Sequence, residues 1–309
     1  MRDPIRDAAR EAATPTPSAE RASMRGPVLV YAEDSALSTG ALHLAELLAR
    51  RGGVNAHVLG VVRPVEFPVW AFVDVDASVM ESGRRDALGD ALRRRVHATV
   101  GLSGYFTVEA ATGNPAQLLA EEARRRGSAC ILAGLGAHGG AERPASEDAV
   151  LQLLETSPVP VVAVPPGVAH LPTRVLVAMD FSAVSRRAAA AAIDLVDAGA
   201  TVTLAHVAPE TDLQALGAEG LAAIYEQGVA GLFQQLEASL EGRVGGRVET
   251  VLLRGEAAPA ILTLAARGAF DLLACGTHGE APAGRRFPGS VSTALLRGAR
   301  CPVLIVPAR

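Results

Sequence analysis

The chain contains no lysine: all 29 residues of its Lys+Arg total are arginine. A P-loop needs a lysine at the β- and γ-phosphates and a protein kinase needs one on a strand, so both schemes are excluded. Schiff-base and pyridoxal-phosphate chemistry go with them, because each requires an amine side chain. A bound phosphate must therefore be held by backbone N–H groups, hydroxyls or arginine. Cysteine is also scarce. Cys130, Cys275 and Cys301 form no CxxC pair, the usage expected of a reduced, cytoplasmic protein. Long apolar runs are missing: no stretch approaches the ~20 uninterrupted residues that span a bilayer. A net charge of −4 leaves no electrostatic footprint for nucleic acid or an anionic membrane, and neither partner is expected.

What is present is a globular balance, 49% hydrophobic and 20% charged over 309 residues, enough for two domains. Residues 1–25, with TPTPS at their centre, have no hydrophobic period and no signal-peptide core. They read as a disordered tail, with Met24 an alternative start. From Gly26 the chain alternates strand-like and helix-like segments, twice. The first pass predicts strands at 27–32, 54–62, 105–111, 129–133 and 159–164, with helices at 39–51, 79–99, 115–126 and 146–155. The second predicts strands at 174–179, 201–207, 247–253, 271–275 and 303–306, with helices at 185–197, 219–241, 258–267 and 289–297. Short, continuous apolar strands imply a mostly parallel sheet covered on both faces.

The two passes correspond in detail. PVLVYAEDS answers RVLVAMDFS, GAHG at 136–139 answers GTHG at 276–279, and PVPVVAVP answers RCPVLIVP. A repeat of about 140 to 147 residues is a duplication, since solenoid periods are ~20–50 residues. The expected organisation is a first domain at 26–166, a linker at 167–172 (after Pro165–Pro166) and a second domain at 173–309.

The chemically informative stretch is CGTHGEAPAGRRFPGSVS, residues 275–292. Gly276 and Gly279 follow the fourth strand of the second pass, where glycine lets backbone N–H groups approach a ligand. Gly289 and Ser290 open a helix, whose unsatisfied N–H groups and positive dipole end favour an anion. The Ser290 hydroxyl either caps that helix or bonds a phosphate oxygen. Asp180 ends the first strand of the same pass. In an open parallel sheet it would face the glycine loop across the crevice where the strand order reverses. Its carboxylate suits a ribose hydroxyl or an adenine amine, so a nucleotide would lie with its base near Asp180 and its phosphates over the glycines. Asp180 also reads as a simple turn acid.

On these residues the chain resembles the universal stress protein family in its tandem form, over almost all of 26–309. The signature Gly-x2-Gly-x9-Gly-Ser is matched in spacing at Gly276, Gly279, Gly289 and Ser290. The resemblance implies two open, mostly parallel five-stranded α/β sheets, Rossmann-like and of the adenine nucleotide α-hydrolase-like kind. It implies ATP held by these four residues, with Val291 donating its backbone N–H and His278 near the phosphates. Ala178, Asp180 and Val207 would contact the adenosine part, and Mg2+ or Mn2+ would arrive with the nucleotide. It further implies pairing of last strands, here 159–164 and 303–306, within a pseudo-dimer and in a homodimer.

The first pass departs from that pattern. GLGAHGG is kept, but Glu147–Asp148 or Ala149–Val150 stand where Gly-Ser would be, and Glu33 replaces the strand aspartate. Carboxylates at a helix N-terminus repel phosphate, so the first domain is expected to have lost ATP binding. Competing readings are weaker. GLGAHG fits GxGxxG but follows the fourth strand, not the first as a dinucleotide site requires. His138, His278, Arg285 and Arg286 read as loop residues. His206 either lines the pocket or packs in the core. No catalytic residue or metal cluster is legible. The leading function is an ATP-binding regulatory or protective module; a nucleotide-free dimerisation and docking scaffold is the alternative, and a slow ATPase the third.

Overall fold

The computed structural model describes residue 24 and residues 26–64, 77–135, 145–208, 219–277 and 289–308. The first half carries β1 (Val28–Tyr31), α1 (Thr39–Gly52), β2 (Ala56–Val62), α2 (Ala77–Val100), β3 (Phe106–Thr112), α3 (Pro115–Arg126), β4 (Cys130–Gly134), α4 (Ala145–Thr156) and β5 (Val161–Val164). The second repeats the plan with β6 (Arg174–Met179), α5 (Ala183–Ile193), β7 (Thr201–Ala208), α6 (Glu219–Leu240), β8 (Arg247–Arg254), α7 (Ala257–Arg267), β9 (Leu272–Gly276), α8 (Ser290–Gly298) and β10 (Val303–Val306).

Local chemistry fixes many of these boundaries. Asn114 caps α3 by accepting from the Gln117 N–H, Pro115 takes the first helical position, and Gly127 ends the helix at φ 61°. The innermost strands are apolar throughout: VLVY in β1, VVAV in β5 and VLIV in β10 are wholly buried. β3 and β8 instead intersperse exposed threonine and charged residues among half-buried ones, as outer strands do.

All ten strands form one sheet in the order β3-β2-β1-β4-β5-β10-β9-β6-β7-β8. Each half is thus a 3-2-1-4-5 arrangement of parallel strands, and β5 joins β10 antiparallel, with Val162 opposite Leu304. The expected α/β architecture is present, with its two five-stranded sheets fused. β5 is already paired on its other side to β4 and β10 to β9. Neither last strand keeps a backbone edge for a second copy, so the last-strand homodimer implied by the resemblance has no edge to use.

Two cores lie on opposite faces of the sheet. One packs α1, α2, α5 and α6 through residues such as Leu42, Leu92, Ala189 and Phe233; the other packs α3, α4, α7 and α8 through Leu119, Leu153, Ile261 and Leu295. Met24, within the expected tail, is buried in the first of these; the rest of residues 1–25 lies outside the described residues. Among the described residues no helix is long and apolar enough to cross a membrane.

Candidate functional site

The parallel register of β6 on β9 sets Val177 opposite Ala274, bringing Asp180 beside the end of β9. Its charge is felt there: burial pushes the Cys275 thiol up to about 12, and Asp180 adds to the shift. Asp180 is exposed, and its Oδ1 accepts from the Ser182 N–H at 3.0 Å. The turn-acid role is therefore real and leaves the residue at the crevice mouth. Ser182 in turn caps α5, accepting from Ser185 N at 3.2 Å.

Between them Phe181 takes φ 63°, a left-handed conformation that a non-glycine residue adopts at a cost. Packing offsets it. The Phe181 ring lies 4.9 Å from the His206 ring and 5.1 Å, edge-on, from Phe233. His206 is fixed at both nitrogens: Nδ1–H donates to the Met179 carbonyl, and Nε2 lies 2.7 Å from the Tyr225 hydroxyl, which can donate to it. Of the two readings of His206, the structure supports packing: the ring braces the end of β6 from the α5–α6 face.

Strand alternation puts the other residues on the opposite face. Ala178 and Val207 are half-buried against the α7–α8 core, and Asp180, two residues after Ala178, shares its side. Of the three expected adenosine contacts, Ala178 and Val207 thus line one face of adjacent strands β6 and β7, and Asp180 follows the end of β6 on the same side. Gly276, at the end of β9, has the same level as Met179 by extension of the register.

The start of α8 is tied back to β9. Gly289 N donates to the Thr277 carbonyl at 2.7 Å, Thr277 N donates to Val306 O at 2.9 Å, and the Ser292 hydroxyl lies 3.2 Å from Thr277 O and 2.9 Å from Gly289 O. Both flanking glycines are dictated by close approach. A Cβ on Gly289 would stand 2.6 Å from Thr277 O, and one on Gly276 would stand 2.7 Å from Val184 Cγ1. His278 and Gly279 lie outside the described residues.

The residues at this helix start suit a polyphosphate. Gly289 occupies the N-cap without a side-chain cap bond, and the first turn carries no acid. Ser290 is exposed and Val291 half-buried; the N–H groups of a first turn lack helical acceptors. The Thr277 hydroxyl is buried and has no hydrogen-bond partner among the described residues. The matching helix of the first half is the reverse. Glu147 and Asp148 sit in the first turn of α4, and Glu147 accepts from Arg297 Nε of α8 at 3.0 Å. Ala149 and Val150 are buried in the core. By strand position, not by the GAHG–GTHG match, Gly134 ends β4 as Gly276 ends β9, and an added Cβ there would stand 2.3 Å from Leu37 O: the Ala36–Ser38 turn lies directly on the strand end. The Ser38 hydroxyl holds that turn to Glu33 through both backbone groups at 2.9 Å.

Residues 172–307 match the model of the universal stress protein family. None of the curated proteins matches the chain. Among solved structures, a universal stress protein from Archaeoglobus fulgidus DSM 4304 is 20% identical with TM-score 0.63, covering 92% of this chain and 98% of its own. A functionally unknown protein from Pseudomonas aeruginosa PAO1 is 18% identical with TM-score 0.57, covering 91% and 92%. Likeness at this identity shows a shared fold across both halves.

Proposed function

We propose that this chain, which belongs to the universal stress protein family through residues 172–307, binds ATP at the carboxyl ends of β6 and β9. It acts as a nucleotide-responsive regulatory or protective module in stress response. The observation that supports this best is the acid-free start of α8, with exposed Ser290 and no side-chain cap, beside Asp180. In this reading the phosphates lie over Gly276, Gly279, Gly289 and Ser290, with Val291 N–H donating and His278 alongside. The adenosine lies against Ala178 and Val207, and Asp180 accepts from a ribose hydroxyl. Mg2+ or Mn2+ carried by the nucleotide would supply the counter-charge that lysine supplies elsewhere. The first half contributes structure: Glu147 and Asp148 place two acids in the first turn of α4, where they oppose an anion.

A scaffold reading draws on one observation, that Gly276 and Gly289 are explained by packing alone. The two readings part on a direct assay. Purified protein is denatured and the supernatant analysed for nucleotide; the native protein is then melted with and without Mg2+–ATP. ATP binding predicts released nucleotide or a saturable rise in Tm. No release and no rise would leave the scaffold reading in its place.

A further inference from the structure

At the β3 edge of the sheet, with five strands between it and β9 in the strand order, the fold assembles a polar cluster that the nucleotide reading does not use. His57, on β2, has a side chain only 2% exposed, and its Nδ1 lies 2.7 Å from the Thr107 hydroxyl directly opposite on β3. Its Nε2 points between β3 and α3, 3.5 Å from Glu109 Oε2 and 3.4 Å from Glu122 Oε1. That nitrogen is buried and makes no hydrogen bond. Leaving such a group unsatisfied costs ~1–3 kcal/mol, so an unpaired imidazole nitrogen aimed at two carboxylates calls for an occupant.

We propose that His57 Nε2, Glu109 Oε2 and Glu122 Oε1 form a site for a divalent transition-metal ion, Zn2+ by donor type. The three atoms lie within 4.8 Å of one another. Tetrahedral zinc with Zn–N and Zn–O bonds of ~2.0–2.2 Å sets neighbouring ligand atoms ~3.3–3.6 Å apart, and both histidine–carboxylate separations already have that length. Imidazole in the donor set selects Zn2+ and its neighbours over Mg2+ and Ca2+. Thr107 can accept from Nδ1–H, the tautomer that frees Nε2 for a metal.

The surrounding charges prepare the ligands. Burial, aided by Arg126 and Arg125, pushes the His57 ring below its ordinary value against the opposing pull of Glu109 and Glu122. Glu122 is held down to about 2, first by its hydrogen bond from Arg125 and also by Arg126, and is ionised. The guanidinium groups also orient the carboxylates: Arg125 Nη2 and Nε donate to Glu122 at 2.5 and 2.7 Å, Arg126 Nε donates to Glu122, and Arg126 Nη2 donates to Glu109 Oε1 at 3.2 Å. Glu109 Oε2 is the oxygen turned toward His57. Glu122 Oε1 is shared with the arginines, which weakens its hold on a cation. Glu109 is 57% exposed and Glu122 15%, so a fourth position opens toward solvent past Glu109. Three protein ligands and an open fourth position describe an exchangeable site, unlike a closed structural one.

The test titrates ZnCl2, and separately CoCl2, into the untagged, nucleotide-free full chain by calorimetry and visible spectroscopy. One equivalent should bind, Co2+ should develop tetrahedral-intensity absorption, and MgCl2 should not compete. Glu109→Gln, on an exposed side chain, and His57→Ala should each lose at least ~100-fold in affinity, beyond the effect of an outer-shell change. Arg125→Ala should retain binding or tighten it, and Ser290→Asp, in the nucleotide site, should leave it unchanged. If His57→Ala does not fold, Glu109→Gln decides. Failure to bind one equivalent, or equal affinity in Glu109→Gln, overturns the proposal without touching the nucleotide reading.

Discussion

Gly289 N donates to Thr277 O at 2.7 Å while its α-carbon faces the same carbonyl so closely that a Cβ would stand 2.6 Å from it. The contact closes the start of α8 onto the end of β9 and allows no side chain. It also separates fold from ligand binding in any mutagenesis of this helix. Gly289→Ala should destabilise the chain by ~1–3 kcal/mol, the range for overpacking a closed site, read from the urea midpoint. Ser290→Asp adds its charge on exposed surface at a helix N-terminus, where an acid is favourable, and should leave the midpoint unchanged or raised.

The strand-end glycines of the two halves should differ in tolerance. At Gly134 an added Cβ meets the Leu37 carbonyl at 2.3 Å, whereas at Gly276 it meets Val184 Cγ1 at 2.7 Å. Backbone of a short turn has less room to yield than a valine rotamer. Thermal melts should show a larger loss for Gly134→Ala than for Gly276→Ala; the reverse order would contradict the packing described at both sites.

Thiol reactivity should follow burial. Cys130 and Cys275 are buried, with thiols pushed up to about 12, and half-buried Cys301 is pushed up to about 11, in each case chiefly by desolvation. At pH 8 the thiolate fraction is then on the order of 10^-3 or less. Native protein should react with a disulfide reagent at no more than one site, Cys301, at a rate that climbs with pH through 10. In guanidinium chloride all three should titrate at once. Rapid labelling of Cys275 in the native state would contradict the closed packing beneath Asp180.

Arg51 of α1 donates through both terminal nitrogens to Asp194 O and Val196 O, just past the end of α5. Arg51→Met keeps much of the aliphatic stem and removes those donors, so it should cost ~1–3 kcal/mol for carbonyls left without their charged donor. Hydrogen exchange should quicken at residues 194–197 ahead of the rest of the second half.

That arginine also shows why part of the fold was legible in sequence and part was not. The strands at 174–179 and 303–306 and the helix at 115–126 have the boundaries that composition and capping predict, because the determining residues lie within or beside each element. The helix predicted at 185–197 runs from Ala183 to Ile193. Its early start rests on the Ser182 cap, a signal present in the sequence. The carbonyls past its early stop are bonded by Arg51, more than 140 positions earlier. The candidate site divides similarly. Ala178 and Val207 share one sheet face as strand alternation implies, with Asp180 past the end of β6 on the same side, but the tight contacts of Gly276 and Gly289 needed Val184 and Thr277 in place. The His57–Glu109–Glu122 cluster had no signature in spacing: the β2–β3 register and the docking of α3 create it.

Equilibrium titration of Mg2+–ATP into the wild-type chain, into Ser290→Asp and into Asp148→Ala bears most directly on nucleotide binding by the second half. One ATP per chain should bind to the wild type and to Asp148→Ala with similar affinity. Ser290→Asp should bind at least ~10-fold more weakly, the worth of one unfavourable charge of ~1.4 kcal/mol at the phosphates, with its Tm intact. Equal affinity in Ser290→Asp, or a second ATP gained by Asp148→Ala, would contradict the placement of the phosphates on α8 alone.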